Sequence, residues 1–398
     1  MARKLRVAIV GGGLGGLAVA QALRGKAEVV IIEQSAQFGE VGAGINVSPN
    51  CVKVLREFGL ESRLRQSAFE PAFHVFRDWK SGRCLFRADI KGEYEKRFNA
   101  PHLSVHRADL HNILSTGLPD ASLRFGVRCI AVAQSENSAV AILESGEEVE
   151  ADVVVGADGI KSAVRGSLFG EDEPEFTGNV AWRFTVPEES LVEPIEPAVT
   201  NWLGPGGHVV HYYVRSGRLV NVIAVYETQQ WTAESWTQSG DRDELLGIFD
   251  RWNPKLITLF KRAGSYYKWG LFDRPPLGAW SVGRITLLGD AAHPMLPFLG
   301  QGAAMALEDG LALGLLLSQG RPVAESLHLY ERLRLPRTSR AQLGSRGRAA
   351  ENHLRSPLAR LKRNLKFKLR KFINPHSTLH NGEWLYSYDV RNAVGGLG

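Results

Sequence analysis

The sequence predicts an α/β protein in which a parallel sheet with flanking helices is interrupted by a mainly antiparallel sheet and followed by a C-terminal helical segment. Three observations predict this class. Residues 5–23 read as a β-branched strand, a glycine-rich turn and an alanine-rich helix. Two later apolar strands run into Asp158 and Asp290. Residues 177–274, which lie between those strands, alternate apolar and polar side chains as half-buried strands do.

Composition limits the function classes. The chain has 398 residues, 44% of them hydrophobic and 23% charged, which excludes a disordered or collagen-like protein and suits two packed domains. The net charge of +6 is too small to indicate a nucleic-acid-binding protein by itself. Much of the excess falls in residues 360–371, which are either the solvated face of a helix or a patch for an anionic membrane or nucleic acid.

Cysteine usage and apolar run lengths indicate the compartment. Cys51, Cys84 and Cys129 have no CxxC spacing, so neither a disulfide framework nor a zinc site is predicted. The apolar run 7–10 stops at a glycine turn and does not read as a signal peptide. The run 311–317 is too short to cross a bilayer. We expect a soluble, cytoplasmic protein that is a monomer or homodimer, with no metal.

The N-terminal motif predicts a dinucleotide site on a Rossmann-like domain. Gly11, Gly13 and Gly16 satisfy G-x-G-x-x-G in its required context, between a strand and a helix. The first glycine permits the turn, the second lets the backbone approach a pyrophosphate, and the third lets helix pack on strand. Glu33 ends the next strand, where a carboxylate accepts hydrogen bonds from ribose hydroxyls. The motif alone leaves NAD and FAD both open.

Two later segments repeat this pattern. Asp158-Gly159 follows the strand 152–155, and Gly289-Asp290 follows the strand 284–288. The second pair is followed by Pro297 and by a helix that begins at the glycines of 300–303. A strand-end acid beside a helix N-terminus offers an acceptor for sugar hydroxyls and a site for a polar ring edge or phosphate.

These three segments, in this order, resemble the single-component FAD-dependent aromatic hydroxylases of the para-hydroxybenzoate hydroxylase fold. Residues 104–110, which contain Arg107, resemble a segment that contacts FAD in that family. Residues 38–50 and 383–389 narrow the resemblance to salicylate hydroxylase, 3-hydroxybenzoate 6-hydroxylase and 6-hydroxynicotinate 3-monooxygenase. Asn46 departs from the last of these, which carry a histidine there, and asparagine cannot act as a base near neutral pH.

The resemblance implies a discontinuous FAD-binding domain, an inserted substrate-binding sheet domain and a C-terminal helical segment. These cover residues 1–70, 100–175 and 276–350, then 71–99 and 176–275, then 351–398. The motifs and the resemblance together place FAD contacts at Gly11, Gly13, Leu14, Gly15, Gly16, Glu33, Gln34, Asn46, Arg107, Cys129, Asp158, Asp290, Pro297, Gly300, Gly302 and Ala303.

The implied activity is hydroxylation of a phenolic aromatic or heteroaromatic acid with NADH or NADPH and O2, through a flavin C4a-hydroperoxide. Such chemistry needs water excluded and a base near the phenol, because a phenolate ring is far more reactive. His208 and Tyr212 match the family's His-x-x-x-Tyr pair and share one strand face. His211 points the other way and is a weaker, substrate-binding candidate, and Arg183 is a candidate partner for a substrate carboxylate.

Structural roles compete with each of these assignments. His208 and His211 can be hydrogen-bonded sheet residues, Arg183 can form a structural ion pair, and His293 is expected to make a structural hydrogen bond beside the flavin. A Baeyer–Villiger enzyme is disfavoured because no second G-x-G-x-x-G is present, and a halogenase because Trp-x-Trp-x-Ile-Pro is absent. The remaining alternative is a non-hydroxylating flavoprotein that serves as a redox sensor or interaction module.

Overall fold

The computed structural model describes residues 3–39, 44–229, 239–373 and 382–397. The strands are β1 (Arg6–Val10), β2 (Glu28–Ile32), β3 (Gly44–Val47), β4 (Phe73–Asp78), β5 (Cys84–Asp89), β6 (Leu103–His106), β7 (Leu123–Arg124), β8 (Cys129–Gln134), β9 (Ala139–Leu143), β10 (Glu148–Ala151), β11 (Val153–Gly156), β12 (Glu175–Pro187), β13 (Ala198–Gly204), β14 (Gly207–Val214), β15 (Leu219–Glu227), β16 (Tyr267–Asp273), β17 (Ser281–Val282) and β18 (Ile285–Leu287).

The helices are α1 (Leu14–Leu23), α2 (Pro49–Glu57), α3 (Glu61–Ser67), α4 (Glu93–Phe98), α5 (Arg107–Ser115), α6 (Ala163–Phe169), α7 (Arg242–Ile248), α8 (Pro254–Phe260), α9 (Gly302–Leu317), α10 (Val323–Asn352), α11 (Pro357–Ile373), α12 (Glu383–Tyr386) and α13 (Val390–Gly395). The predicted mixed α/β class is confirmed. No helix in the described ranges is both long and apolar enough to span a membrane.

The first sheet has the order β17-β18-β11-β1-β2-β7, and its strands are parallel except at β17. Its central strands are runs of valine and isoleucine that are buried, as a parallel sheet covered on both faces requires. Helices α1 and α9 pack closely, since a Cβ at Gly310 or Gly314 would lie 2.5 or 2.3 Å from an alanine Cβ of α1. This packing ties the glycine turn after β1 to the segment that follows β18.

The second sheet has the order β16-β12-β15-β14-β13-β4-β5 and is antiparallel except between β13 and β4. The segments 208–214 and 219–225 form its β14–β15 hairpin. One face packs on α7 and α8 through an aromatic cluster that includes Trp182, Phe249 and Phe260. The other face carries Val225 and Trp269, which pack against Leu296 and Phe298 of the loop between β18 and α9. That second face is therefore the one turned toward the first sheet.

The C-terminal segment divides into two parts. Helix α11 packs on the second sheet, where Phe367 stacks on Phe76 with ring centroids 5.2 Å apart. Helix α13 instead buries Val390 and Val394 in the main hydrophobic core beside α9. Residues 390–395 therefore pack into the main hydrophobic core. Two valines four residues apart on a short helix give too weak a sequence pattern to have shown this burial.

Candidate active site

The turn between β1 and α1 is tightly packed at Gly11 and Gly16 but leaves open space at Gly13. Gly11 has φ +104°, and a Cβ there would lie 2.3 Å from the carbonyl oxygen of Ala157, so only glycine fits. A Cβ at Gly16 would lie 2.0 Å from the Gly11 carbonyl oxygen. A Cβ at Gly13 would meet no described atom within 4 Å. Gly13 is also the N-cap of α1 and places no side chain on the helix N–H groups. The turn is an open cradle of backbone donors at a helix N-terminus, which suits a pyrophosphate.

Glu33 lies directly beside this cradle. Its carboxylate accepts hydrogen bonds from the backbone N–H groups of Gly12 and Ser35, each at 2.8 Å. Each carboxylate oxygen keeps lone pairs for further donors, as ribose hydroxyls require. Leu14 is buried, Gly15 lies against Leu288, and the Gln34 side chain is exposed.

Asp158 and Cys129, which the sequence predicts to contact FAD, both form hydrogen bonds to neighbouring protein groups. The Asp158 carboxylate accepts hydrogen bonds from Ser162 Oγ at 2.5 Å and from the Val164 N–H at 3.2 Å, at the start of α6. Burial raises the pKa of Asp158, and those hydrogen bonds oppose the shift. Cys129 Sγ donates to the Ala131 carbonyl at 3.3 Å, and burial raises its pKa to about 11, so the thiol stays protonated.

Asp290, Arg107, Arg183 and Tyr212 come together in one cleft. The Asp290 side chain is exposed to solvent, yet surrounding protein raises the pKa of its carboxyl through burial, against the charges of His293 and Arg107. A group that is both accessible and poorly solvated lies on the wall of a cleft. Arg107, at the start of α5, is exposed and also acts electrostatically on Arg183. Arg183 acts in turn on Tyr212, whose pKa is raised by burial.

The loop after β18 lines the same region. Pro297 is exposed at the start of a 3-10 turn, and Gly300 ends that turn with φ +61°. Gly302 and Ala303 are half-buried in the first turn of α9, which has no side-chain cap. Its uncapped N–H groups can therefore bind a polar ring edge.

Asn46 lies on β3, beside the strand that leads into Arg107. Its Oδ1 accepts a hydrogen bond from Ser104 Oγ at 3.0 Å on the neighbouring β6. Residues 40–43 of the segment that narrowed the resemblance lie outside the described residues.

His208 lies on the cleft-facing side of the second sheet. It is opposite Val225 across the β14–β15 ladder, and its ring contacts Phe298 edge-on with centroids 5.4 Å apart. Arg183 is opposite Ile223, two residues before Val225, so it shares that face. The Arg183 guanidinium lies 4.6 Å from the ring centroid of Trp269.

Arg183 has no structural ion pair with any described carboxylate. Burial, followed by the charge of Arg107, lowers the pKa of Arg183 to about 10, so it remains a cation at neutral pH. A half-buried cation with no anionic partner lowers the stability of the folded protein, because it is only partly solvated, unless a bound anion neutralises it. The structural ion pair that the sequence left open for Arg183 is therefore absent from the described residues.

His211 does not reach this cleft. Its Nε2 accepts a hydrogen bond from Trp202 Nε1 at 3.0 Å, within the layer between the sheet and α7–α8. Burial, reinforced by Arg77, lowers the pKa of His211 to about 4. The alternation of side chains along β14 puts His211 on the opposite face from His208, so the structure does not bring this expected substrate-binding residue to the cleft.

The sequence motifs do not indicate two further features of this region, a buried charge cluster and a second histidine. Arg334 of α10 forms ion pairs of 2.7 Å with both Glu308 and Asp309 of α9, and all three side chains are fully buried. Asp309 also bonds His293 Nε2 at 2.5 Å and the Gly289 N–H at 3.2 Å, so the cluster holds the Gly289-Asp290 loop. The acidic pair that interrupts the apolar run of α9 was the one available signal.

His353, at the C-terminal end of α10, is the missed histidine. Its Nε2 lies 2.7 Å from Nδ1 of His208. The two residues are 145 positions apart, and no local pattern connects them.

The fold and the cleft fit bound FAD. The open cradle at Gly13 and the carboxylate of Glu33 suit its pyrophosphate and ribose, and the cleft wall at Asp290 suits its ribityl hydroxyls. A dinucleotide turn joined to an inserted sheet that carries a buried histidine and an arginine with no carboxylate partner among the described residues suits an FAD-dependent monooxygenase.

Comparison with known proteins agrees with that class. The chain belongs to the FAD binding domain family, whose model matches residues 4–343. It is 37% identical over 389 residues to a 3-amino-4-hydroxybenzoate 2-monooxygenase of Streptomyces platensis, covering 97% of this chain and 96% of that protein. It is 34% identical to the 3-hydroxybenzoate 6-hydroxylase of Polaromonas naphthalenivorans, with 98% of both covered. A salicylate hydroxylase substrate complex superposes with TM-score 0.82 at 27% identity, covering 98% of this chain and 97% of that one.

Two alanine substitutions separate FAD binding from folding. We expect Gly13→Ala to leave the apoprotein folded, because its Cβ enters open space, but to weaken FAD by about tenfold or more as the methyl blocks the pyrophosphate. Gly11→Ala should destabilise the apoprotein itself by about 1 kcal/mol or more, because of its positive φ and the contact with Ala157. FAD titration by fluorescence and denaturant unfolding of both apoproteins measure the two effects. Equal FAD affinity in Gly13→Ala and wild type would contradict this placement of the pyrophosphate.

Proposed function

We propose that this protein hydroxylates a phenolic aromatic or heteroaromatic acid of the salicylate, hydroxybenzoate or hydroxynicotinate type, using NADH or NADPH and O2. The observation that carries the proposal is that a base, His208, and a cation, Arg183, lie on the same face of the second sheet. His208 is a buried neutral base, and Arg183 is a cation with no carboxylate partner in the described structure. A ring that bears both a hydroxyl and a carboxylate satisfies both groups together.

FAD, held at Gly13, Glu33 and Asp290, supplies the redox chemistry with NAD(P)H and O2 that side chains cannot perform. The protein supplies binding, orientation and proton transfer. Arg183 presents a planar fork of donors that matches a carboxylate. The apolar lining around Trp269 and Phe298 keeps water from the ring.

His208 is in the protonation state that a general base needs. Burial, reinforced by His353, keeps the pKa of His208 well below its ordinary value, so the imidazole is neutral at pH 7. With Nδ1 engaged by His353, Nε2 is the nitrogen left to accept the proton of a substrate hydroxyl. Tyr212 stays protonated because burial raises its pKa, so it can donate a hydrogen bond to the developing phenolate.

The similar proteins support the substrate class. Those named above act on aminohydroxybenzoate, hydroxybenzoate and salicylate, each an aromatic acid with a ring hydroxyl. Asn46 stands where the resemblance places a histidine in the 6-hydroxynicotinate enzymes, which disfavours hydroxynicotinate among the proposed substrates. We also propose that the enzyme works in the cytoplasm, where nicotinamide cofactors are available, which agrees with three free cysteines in the described chain.

The proposal is tested with purified holoenzyme and a panel of salicylate, 3-hydroxybenzoate, 3-amino-4-hydroxybenzoate and 6-hydroxynicotinate. We expect a yellow protein whose oxidation of NADH or NADPH, followed at 340 nm, is stimulated about tenfold or more by at least one benzoate, with a dihydroxylated product found by chromatography. Benzoate without a ring hydroxyl is the control and should give no product. A yellow protein that no acid of the panel stimulates would instead indicate a non-hydroxylating flavoprotein.

A further inference from the structure

His208 is the inner end of a line of titratable side chains that reaches the protein surface. Its Nδ1 lies 2.7 Å from Nε2 of His353. His353 Nδ1 lies 3.5 Å from Oε1 of Glu227. The other oxygen of Glu227 pairs with the Arg355 guanidinium at 2.7 Å. The exposed fraction of the side chain rises outward, from 2% at His353 to 32% at Glu227 and 71% at Arg355.

A glycine turn fixes the relative positions of these groups. Gly206, between β13 and β14, donates its N–H to the His353 carbonyl at 3.1 Å and accepts the N–H of Glu227 at 2.9 Å. Its φ of +68° is a left-handed conformation that favours glycine. The end of α10 and the end of β15 are therefore bound to one turn, two residues before His208.

The hydrogen-bond donors and acceptors assign one direction to this line. An ionised Glu227 carboxylate only accepts, so His353 carries its proton on Nδ1. A neutral His353 then has a bare Nε2 that accepts from Nδ1–H of His208. The remaining nitrogen of His208, Nε2, is consequently unprotonated and available as an acceptor. The surface carboxylate thus sets the tautomer of the buried base.

We propose that His353 and Glu227 form a proton relay that carries the proton taken up by His208 from the bound phenol out to solvent. His208 Nε2 accepts the phenol proton and Nδ1 passes its own proton to Nε2 of His353. His353 Nδ1 then passes a proton to Glu227, which releases it to water. One proton enters and one leaves, and each histidine ends as the opposite neutral tautomer. Reverse transfer resets both tautomers when His208 Nε2 gives its proton to the product phenolate and Glu227 takes one from water. This relay rests on the proposed hydroxylase function.

The surroundings favour outward movement of the proton. Burial lowers the pKa of His353 to about 4, with Glu227 opposing the shift and Arg355 reinforcing it, and that of His208 lies well below its ordinary value. The edge-on ring of Phe298 contacts both imidazoles and offers neither of them a charge. A proton that reaches the pair is therefore unstable there and moves toward the carboxylate and water.

The relay is tested on oxidised holoenzyme by a stopped-flow pH jump, with the panel acid that wild-type protein hydroxylates fastest as the probe. The absorbance of bound phenolate reports deprotonation without turnover. We expect His353→Gln and Glu227→Gln to slow phenolate formation at pH 7 by about tenfold or more. In both variants the rate should rise with buffer concentration, because solvent bases must replace the relay, whereas the wild-type rate should not.

Arg355→Gln is the matched control, since it removes the partner of Oε2 and leaves Oε1 beside His353. We expect its rate to stay within about twofold of wild type, as for an exposed ion pair. A purely structural role of His353 would change stability or affinity and would not create dependence on buffer concentration. A wild-type rate with no buffer dependence in His353→Gln would overturn the relay, while His208 would keep its proposed role as the base.

A second measurement needs no substrate. In holoenzyme labelled with 15N-histidine, we expect long-range 15N spectra to show His208 and His353 both neutral and protonated at Nδ1, with the signals assigned from the His208→Gln and His353→Gln variants. A proton on Nε2 of His208 in the resting enzyme would refute the proposed direction of transfer. If wild-type protein hydroxylates none of the panel, the proposed function fails first, and the spectra still decide whether the hydrogen-bonded line exists.

Discussion

Replacing Arg334 by methionine is expected to lower the free energy of unfolding by about 3–5 kcal/mol. Arg334 is the cation between two fully buried carboxylates, Glu308 and Asp309, at 2.7 Å from each. Removing it leaves Asp309 with His293 and the Gly289 N–H, and Glu308 with Arg337, so negative charge remains buried with less compensation. Equilibrium denaturation in urea, followed by circular dichroism and by flavin release, measures the loss.

The same helix provides a matched control for this substitution. Arg348 of α10 pairs with Glu351 at 3.0 Å, but both side chains are well exposed to solvent. Arg348→Met should change the free energy of unfolding by less than about 1 kcal/mol, because water screens such a pair. If Arg334→Met and Arg348→Met lower the free energy of unfolding by similar amounts, burial of the charge cluster does not determine how much it stabilises the fold.

Acid should remove the stabilisation from this cluster. Burial acts to raise the pKa values of Glu308 and Asp309, but the neighbouring cations prevail and hold both below their ordinary values. A carboxyl whose pKa is lower in the folded protein stabilises it above the unfolded pKa, about 4, and loses that contribution as the pH falls further. The difference in stability between wild type and Arg334→Met should therefore shrink progressively below pH 4.

Replacing His208 by glutamine is expected to reduce hydroxylation by about a hundredfold or more at pH 7. Glutamine keeps a polar group at the position but cannot accept the phenol proton. Oxidation of NAD(P)H should fall less than product formation, and hydrogen peroxide should account for the difference. Product and peroxide are both quantified in the same reaction.

His211→Gln is the corresponding control on the same strand. The glutamine oxygen can accept the hydrogen bond that Trp202 now gives to His211 Nε2, and the side chain lies on the far face of the sheet. Product formation should remain within about twofold of wild type, as for a site with no contact to the reacting groups. If coupling of NAD(P)H oxidation to hydroxylation is unchanged in His208→Gln, His208 is not the base.

The glycine turn illustrates what could be predicted locally. Gly11 and Gly16 are required by backbone contacts within one strand–turn–helix unit, so their spacing between a predicted strand and a predicted helix predicted a dinucleotide site. The alternation along 208–214 likewise placed His208 and His211 on opposite faces. It could not say which face the cleft occupies, because that depends on where Leu296 and Phe298 pack.

The contacts of His353 and Arg334 could not be predicted from the sequence. Arg334 is on α10 and His353 directly follows that helix, and their roles depend on contacts to α9 and β14, which are far away in the chain. A buried ion pair and a histidine pair have no periodic signature, since each is defined by two residues brought together only on folding. The same holds for α13, which contributes two valines to a core formed by other elements.

The sequence by itself determined the α/β class and a dinucleotide site, because those depend on short motifs whose physical requirements are met within one turn or one strand. The resemblance of three ordered segments to the aromatic hydroxylases then implied FAD and the general chemistry. The tertiary structure alone decided which histidine lies on the cleft face, which cation has no carboxylate partner in the part of the chain that the structure describes, and which side chains contact the buried base. Those properties arise from side chains packed across distant elements, where burial and charge act through space and leave no regular pattern along the chain.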